Sequence, residues 1–397
     1  MPGDAIISTY GEMPARSPQL PVSIYDDVIA FIEAPDREQF ESLALRVFRH
    51  QFDTVASYRD YCLQLGTTLE SVDSLARVPM VSTIAFKYAR LWSEAAENSA
   101  AARLFLTSGT TVGSDRRGRH LVPRPEVYRL SAMRHIARML FPEGRRMAAL
   151  VIHPTAELMS ESSLAQMISW CLDEFATDQR LCVADRAGVD LARACGFMLS
   201  IERKGLPLCI LGTTAAFAAL FGFLREHSMS IRLAPGSRAM DTGGAKGQAV
   251  PLAAEEAARW AFELLGIEPS HVVNEYGMTE MCSQLYDATA LNCGAGFDGW
   301  PRMKLAPPWL RPVALDPVTL DPAGDGEVGM LGFFDLANVG SVSALVTEDL
   351  GLVGRDGLVH VLGRASSAET RGCALAIEQF RQVSRKWSCG EGLSGAG

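Results

Sequence analysis

The sequence predicts an α/β fold in which a sheet and its connecting helices alternate along the chain. Two observations carry this. From Ala101 onward, short apolar runs end in Gly-, Ser- and Thr-rich turns and lead into segments with apolar residues at helical spacing. The composition, 48% hydrophobic and 21% charged over 397 residues, permits a large buried core and is neither that of a disordered nor of a fibrous chain.

Residues 1–95 read as mainly helical, with apolar positions at helical spacing in segments such as Phe40 to Gln51. Residues 96–300 form the expected α/β core. Its strands are Arg103-Leu104-Phe105-Leu106 before Thr107-Ser108-Gly109, Met147 to Ile152, Leu206 to Leu211 before Gly212-Thr213-Thr214, and His271-Val272-Val273 before Asn274-Glu275-Tyr276-Gly277. Polar loops then fall at the carboxyl ends of strands, where open α/β sheets bind ligands. Residues 301–387, with prolines, short β-type runs and turns at Pro322 to Gly326 and Asp356-Gly357, are expected as a smaller β-rich subdomain. The glycine-rich stretch 388–397 reads as a flexible tail.

Several function classes are disfavoured at once. A net charge of −9 offers no basic footprint for a nucleic-acid backbone. The nine cysteines lack close CxxC pairs and the seven histidines lack HExxH-type spacing, so neither a disulfide framework nor zinc is expected. Met1-Pro2-Gly3-Asp4 does not open a secretory signal, and Pro207 and Gly212 interrupt the uncharged run from Gly205 to Leu224. That run is read as a strand followed by a capped helix, and the protein as cytoplasmic with no membrane span.

Four segments carry chemistry. Thr107-Ser108-Gly109-Thr110-Thr111-Val112-Gly113-Ser114, with Arg116, Arg117 and Arg119 behind it, offers backbone N–H, hydroxyl and guanidinium donors that suit phosphate or simply make a surface turn. Asp241-Thr242-Gly243-Gly244-Ala245-Lys246-Gly247 lets a flat ligand approach the backbone and places Lys246 to meet an anion, or is a turn with a solvated lysine. Asn274-Glu275-Tyr276-Gly277-Met278-Thr279-Glu280 brings carboxylate, hydroxyl and aromatic groups to one turn; the alternative is a strand leading into a helix with acidic residues in its first turn. Thr347-Glu348-Asp349-Leu350-Gly351 and Leu362-Gly363-Arg364 hold an acceptor in Asp349 and a donor in Arg364 that suit ribose hydroxyls, or are surface charges.

In this order the segments resemble the adenylate-forming superfamily. More closely, Met240 to Gly247, Asn274 to Glu280 with Ser283-Gln284-Leu285-Tyr286-Asp287, and Arg371-Gly372-Cys373 resemble the acyl-protein synthetase family, over about Arg77 to Phe380. The resemblance implies the large N-terminal domain of adenylate-forming enzymes with a small β-rich subdomain. It implies activation of a carboxylic acid by ATP and Mg²⁺ to an acyl-adenylate, then acyl transfer to a thiol of the chain or of an acyl-accepting reductase or carrier protein. Coenzyme A or an amine as acceptor, and a nucleotide-binding scaffold without turnover, are the alternatives. Thr107, Ser108, Gly109, Thr110 and Thr111 would cradle phosphates; Gly243, Gly244, Tyr276 and Gly277 would border adenine. Thr279 would touch phosphate, Glu280 hold Mg²⁺, and Asp349 and Arg364 bind ribose.

Two departures from the superfamily pattern shape further expectations. Val112 stands where glycine is usual, and only a short segment follows Arg364, so the full C-terminal domain with its catalytic lysine is expected to be lacking. Lys246 is the expected substitute for that lysine. Cys373, beside Arg371, is the expected acyl acceptor because a thiolate attacks acyl-adenylates readily; Cys389 is its rival.

Overall fold

A computed structural model of the chain describes residues 23–107, 117–243, 252–289, 303–324, 326–354 and 357–365. Helices α1 (Ile24–Glu33), α2 (Phe40–Thr54) and α3 (Ala56–Gln64) open it. On α2 the residues Phe40, Leu43, Ala44, Val47, Phe48, Gln51 and Phe52 are buried, the three-and-four spacing of one helix face. Gln51 is the polar member of that face. Its Nε2 donates to the carbonyls of Asn338 (2.8 Å) and Val339 (3.1 Å), and its Oε1 accepts from Ser343 N (3.0 Å), which locks the helical region to a distant loop.

After β1 (Val81–Ser82) and the short α4 (Glu94–Glu97) come β2 (Arg103–Leu106) and β3 (Arg119–Val122). These two pair antiparallel with Phe105 opposite His120, in a two-stranded sheet of their own. The expectation that Arg103–Leu106 ends at the carboxyl edge of the parallel sheet is therefore corrected. Pairing with a run that begins after twelve intervening residues closes a much shorter loop than joining the distant sheet would.

The parallel sheet follows: α5 (Pro125–Leu140), β4 (Met147–Ile152), α6 (Ser163–Phe175), β5 (Ala176–Cys182), α7 (Leu191–Arg203), β6 (Leu208–Thr213), α8 (Thr214–Glu226), β7 (Arg238–Thr242), α9 (Ala254–Leu265) and β8 (Val272–Tyr276). The strand order β5-β4-β6-β7-β8 is parallel throughout. Every residue of β4 is buried. Ala149 and Val151 face one core, and Ala148, Leu150 and Ile152 face the other, beneath α7, α8 and α9. Helices on both faces explain why this strand is apolar without alternation. The run from Gly205 forms β6 and α8 as expected, with the Thr213 hydroxyl accepting from Ala216 N as the helix cap. Phe217 and Phe221 are core residues beneath these helices. No helix among the described residues is long and apolar enough to cross a membrane.

No helix follows β8. The chain turns through 277–284 into β9 (Leu285–Asp287), antiparallel to β8 with Glu275 opposite Tyr286. Strands β10 (Lys304–Leu305), β11 (Leu310–Leu315), β12 (Gly329–Asp335), β13 (Ala344–Val353) and β14 (Leu358–Arg364) complete the sheet. β10 bridges β9 and β14, so the β-rich region beyond residue 301 is hydrogen-bonded into one twelve-stranded sheet with the parallel strands.

Candidate active site

The carboxyl ends of β7 and β8 carry a buried polar network. Thr214 Oγ1 donates to Asp241 Oδ2 at 2.6 Å, and Asn274 Nδ2 donates to the same oxygen at 3.0 Å. Lys304 Nζ reaches Asn274 Oδ1 (2.6 Å) and Asp287 Oδ1 (3.0 Å), while Asp287 Oδ2 accepts from Asn274 N (2.9 Å). Lys304 and Asp287 are only 7% and 0% exposed, so each charge depends on the other and on these hydrogen bonds. The network ties the end of β7 to β8, β9 and β10. Gly243 follows at φ 92°, a left-handed conformation that favours glycine.

Alternation along β8 sends Glu275 and Tyr276 to opposite faces. Glu275 Oε2 accepts from the Thr242 hydroxyl. Burial pushes the Glu275 carboxyl up to about 7, a rise reinforced by Asp241 and restrained by the Thr242 hydrogen bond and the charge of Lys304. On the other face, Tyr276 Oη donates to Asp349 Oδ2 at 2.7 Å. Asp349 and Arg364 are direct partners in the β13–β14 register. Arg364 Nε lies 4.0 Å from Asp349 Oδ1, and its Nη1 lies 3.5 Å from Glu348 Oε2. Tyr276, Asp349 and Arg364, far apart in sequence, thus meet on one patch.

Thr279 and Glu280 lie in the turn after β8, with Glu280 9% exposed. Their backbone is held from behind. His120 Nδ1 is 2.6 Å from the Thr279 carbonyl, and Asn338 Nδ2 donates to the Glu280 carbonyl (2.9 Å) and to that of Val342 (2.9 Å). His120 Nε2 meets Asn338 Oδ1 at 3.0 Å. Burial holds the His120 imidazole below the usual histidine range against these hydrogen bonds. Since His120 sits on β3, it joins the expected phosphate-loop hairpin to the Thr279–Glu280 turn.

The neck of that hairpin is closed by Thr107. Its N–H donates to Gly118 O (2.9 Å), and its Oγ1 accepts from Gly118 N (2.8 Å). Arg117 Nε donates to Thr107 O at 2.7 Å, and the Arg119 guanidinium lies 5.7 Å over the Trp92 ring. Both cations are therefore engaged around the hairpin. Ser108, Gly109, Thr110, Thr111, Gly244, Lys246, Cys373 and the rival Cys389 lie outside the described residues.

A separate cleft of about 920 Å³ lies beyond β4 and β5, lined among others by Thr155, Asp173, Arg180, Cys182 and Asp190. None of the residues marked by the sequence lines it. Lys304, His120 and Asn338 are the structural members of the site that sequence reasoning missed. A lone lysine, histidine or asparagine gives no periodic or spacing signal.

Comparison with known proteins places the chain. The model of the LuxE acyl-protein synthetase family matches residues 23–381. The chain belongs to this family. Like its acyl-protein synthetase relatives it is an enzyme, an adenylate-forming ligase that uses ATP to activate a carboxylic acid as an acyl-adenylate and passes the acyl group on. It is similar to the long-chain-fatty-acid–luciferin-component ligase of Aliivibrio fischeri, at 22% identity over 378 residues, covering 91% of this chain and 95% of that one. With the ligase of the same name from Vibrio harveyi it shares 27% identity over 202 residues, 48% of this chain and 50% of that one. Among solved structures it resembles 2-hydroxyisobutyryl-CoA ligase in an open conformation in complex with 2-HIB-AMP and CoA, with TM-score 0.58 and 16% identity over 83% of this chain and 79% of that one. In the thioesterification state that ligase matches with TM-score 0.59 and 17% identity over 84% and 72%. The acyl-protein synthetase therefore has the adenylate-forming fold.

Proposed function

We propose that the nucleotide lies across the carboxyl end of β8, with its ribose on Asp349 and Arg364, its adenine beside Tyr276, Gly277, Gly243 and Gly244, and its phosphates between Thr279 and the loop from Thr107 to Thr111. The observation that carries this reading is the convergence of Tyr276, Asp349 and Arg364. The 2.7 Å bond from Tyr276 to Asp349 fixes one carboxylate oxygen and leaves acceptor capacity on the carboxylate for ribose hydroxyls.

Glu280 is proposed to ligate a Mg²⁺ that arrives with the nucleotide. The donor fits in kind, since Glu280 offers one carboxylate in the turn after β8 and Mg²⁺ on a nucleotide takes one or two carboxylates beside phosphate oxygens. When bound, the ion neutralises charge on the phosphates. The chain's own part is positioning. A carboxylate oxygen of the acid forms a bond to the α-phosphorus as the bond to the bridging oxygen breaks and pyrophosphate leaves. Lys246 is the proposed cation for the charge developing there.

For the second step we propose attack by a thiolate on the acyl carbon, forming a thioester as AMP leaves with the bonding electrons. Cys373 is the proposed first acceptor, before a partner protein. Because the relatives are named for long-chain fatty acids, aliphatic acids head the panel to be tested. The experiment is acid-dependent exchange of labelled pyrophosphate into ATP, with Glu280→Ala as control. Exchange is expected in the native enzyme and lost in a folded Glu280→Ala protein; native-like exchange in the variant would remove Glu280 from the metal site.

A further inference from the structure

The β8–β9 connection contains a buried acceptor with no donor among the described residues. Gln284 is only 4% exposed, and its side-chain Oε1 has no hydrogen-bond partner among them. Leaving such an atom unsatisfied costs about 1–3 kcal/mol, so it calls for an explanation. The hydroxyl of its chain neighbour Ser283 is already engaged, donating to Asp335 Oδ1 at 2.6 Å.

Its place in the fold matters as much as its missing partner. A Cβ on Gly277 would stand 3.2 Å from Gln284 Cγ and would collide with Glu275 Oε1. Glycine at 277 leaves room for the stem of Gln284 and the Glu275 carboxyl to pack against this backbone without either shifting. Both therefore lie against the turn that also carries Thr279 and Glu280. In an acyl-adenylate the acyl carbonyl is bonded directly to an α-phosphate oxygen. The carbons next to that carbonyl consequently lie beside whatever grips the phosphate.

We propose that Gln284 determines which acid is taken: its side-chain carbonyl accepts a hydrogen bond from a hydroxyl or amino group borne close to the substrate's carboxyl. The proposal rests on the adenylation reading above. A plain alkyl or aryl chain in this space seals the acceptor away from any donor, whereas a hydroxyl or ammonium satisfies it. Discrimination of this kind arises because the wrong ligand leaves the protein's own polar atom unpaired. Glu275, whose carboxyl packs against the same Gly277 backbone, is a second buried polar group beside it.

The test uses the full chain and acyl-sulfamoyl-adenosine analogues in matched sets of equal chain length: unsubstituted, 2- or 3-hydroxy, 2- or 3-amino, and 2- or 3-keto. Their dissociation constants are measured by calorimetry for the native protein and for Gln284→Met, which is close in volume and removes the acceptor. The best donor-bearing analogue is expected to bind native protein about tenfold to a hundredfold more tightly than the unsubstituted one. In Gln284→Met that ratio falls to near one, with an unfolding midpoint at least as high as the native one. Equal affinities in the native protein, preference for the keto analogue, or an unchanged ratio in Gln284→Met overturns the proposal. Failure of every analogue to bind, together with no pyrophosphate exchange for the corresponding acids, overturns the adenylation reading itself and this inference with it.

Discussion

Replacing Glu275 by glutamine should abolish a large part of the protein's pH-dependent loss of stability between pH 5 and pH 8. The glutamine keeps the acceptor for Thr242 while removing the charge. In the folded protein, burial raises the Glu275 carboxyl from 4.5 to about 7. With the folded value above the unfolded one, the folded state binds more protons in that window, so stability is fully present below about 4.5 and falls as pH rises through about 7. A shift of this size is worth about 3 kcal/mol at 1.36 kcal/mol per unit, and roughly 2–3 kcal/mol of it falls between pH 5 and pH 8. Lys304, Asp241, Tyr128 and Tyr286 face the same carboxyl, but they are unchanged in the variant and drop out of the difference. Urea unfolding at the two pH values, for both proteins, measures it, with coincident transitions from two probes confirming two-state behaviour. Native protein and Glu275→Gln losing the same stability to within about 0.5 kcal/mol would refute the reasoning.

Other substitutions probe the remaining links. Lys304→Met should destabilise the fold by about 3–5 kcal/mol, because it removes the cation beside the buried Asp287 carboxylate; Lys304→Met with Asp287→Asn should recover part of that loss in the same unfolding assay. His120→Leu removes the ring that joins the Thr279 carbonyl to Asn338. It should cost about 1–3 kcal/mol in stability and slow pyrophosphate exchange in single-turnover measurements, and an unaltered exchange rate would show that the hairpin needs no such tie. Cys373→Ser should retain exchange but lose hydroxylamine-sensitive labelling by radioactive acid; labelling that persists would pass the acceptor role to Cys389 or another thiol.

Much of the architecture was legible in local pattern. Phe40 to Gln51 declared its helix through spacing, and Met147–Ile152 its buried strand through an unbroken apolar run. The run from Gly205 declared strand then helix through Thr213 as cap. The Thr-Ser-Gly hairpin misled because strand propensity does not say which strand is the partner: β2 and β3 pair with each other. Asn274-Glu275-Tyr276 likewise proved to be the strand itself, and the chain turns at Gly277 rather than opening a helix.

By itself, the sequence determined the family, the order of its motif segments, the alternation of strand and helix, and a net charge of −9, since each is written in neighbouring residues or in composition. Only the tertiary structure decided that Tyr276 bonds Asp349 and that Arg364 stands opposite Asp349. It alone decided that Lys304 pairs with Asp287, that His120 backs Thr279, and that Gln284 is buried without a donor among the described residues. The physical reason is common to the four pairs. Each depends on atoms brought within a few ångströms although their residues are separated by more than a dozen positions, and no local periodicity encodes such a distance.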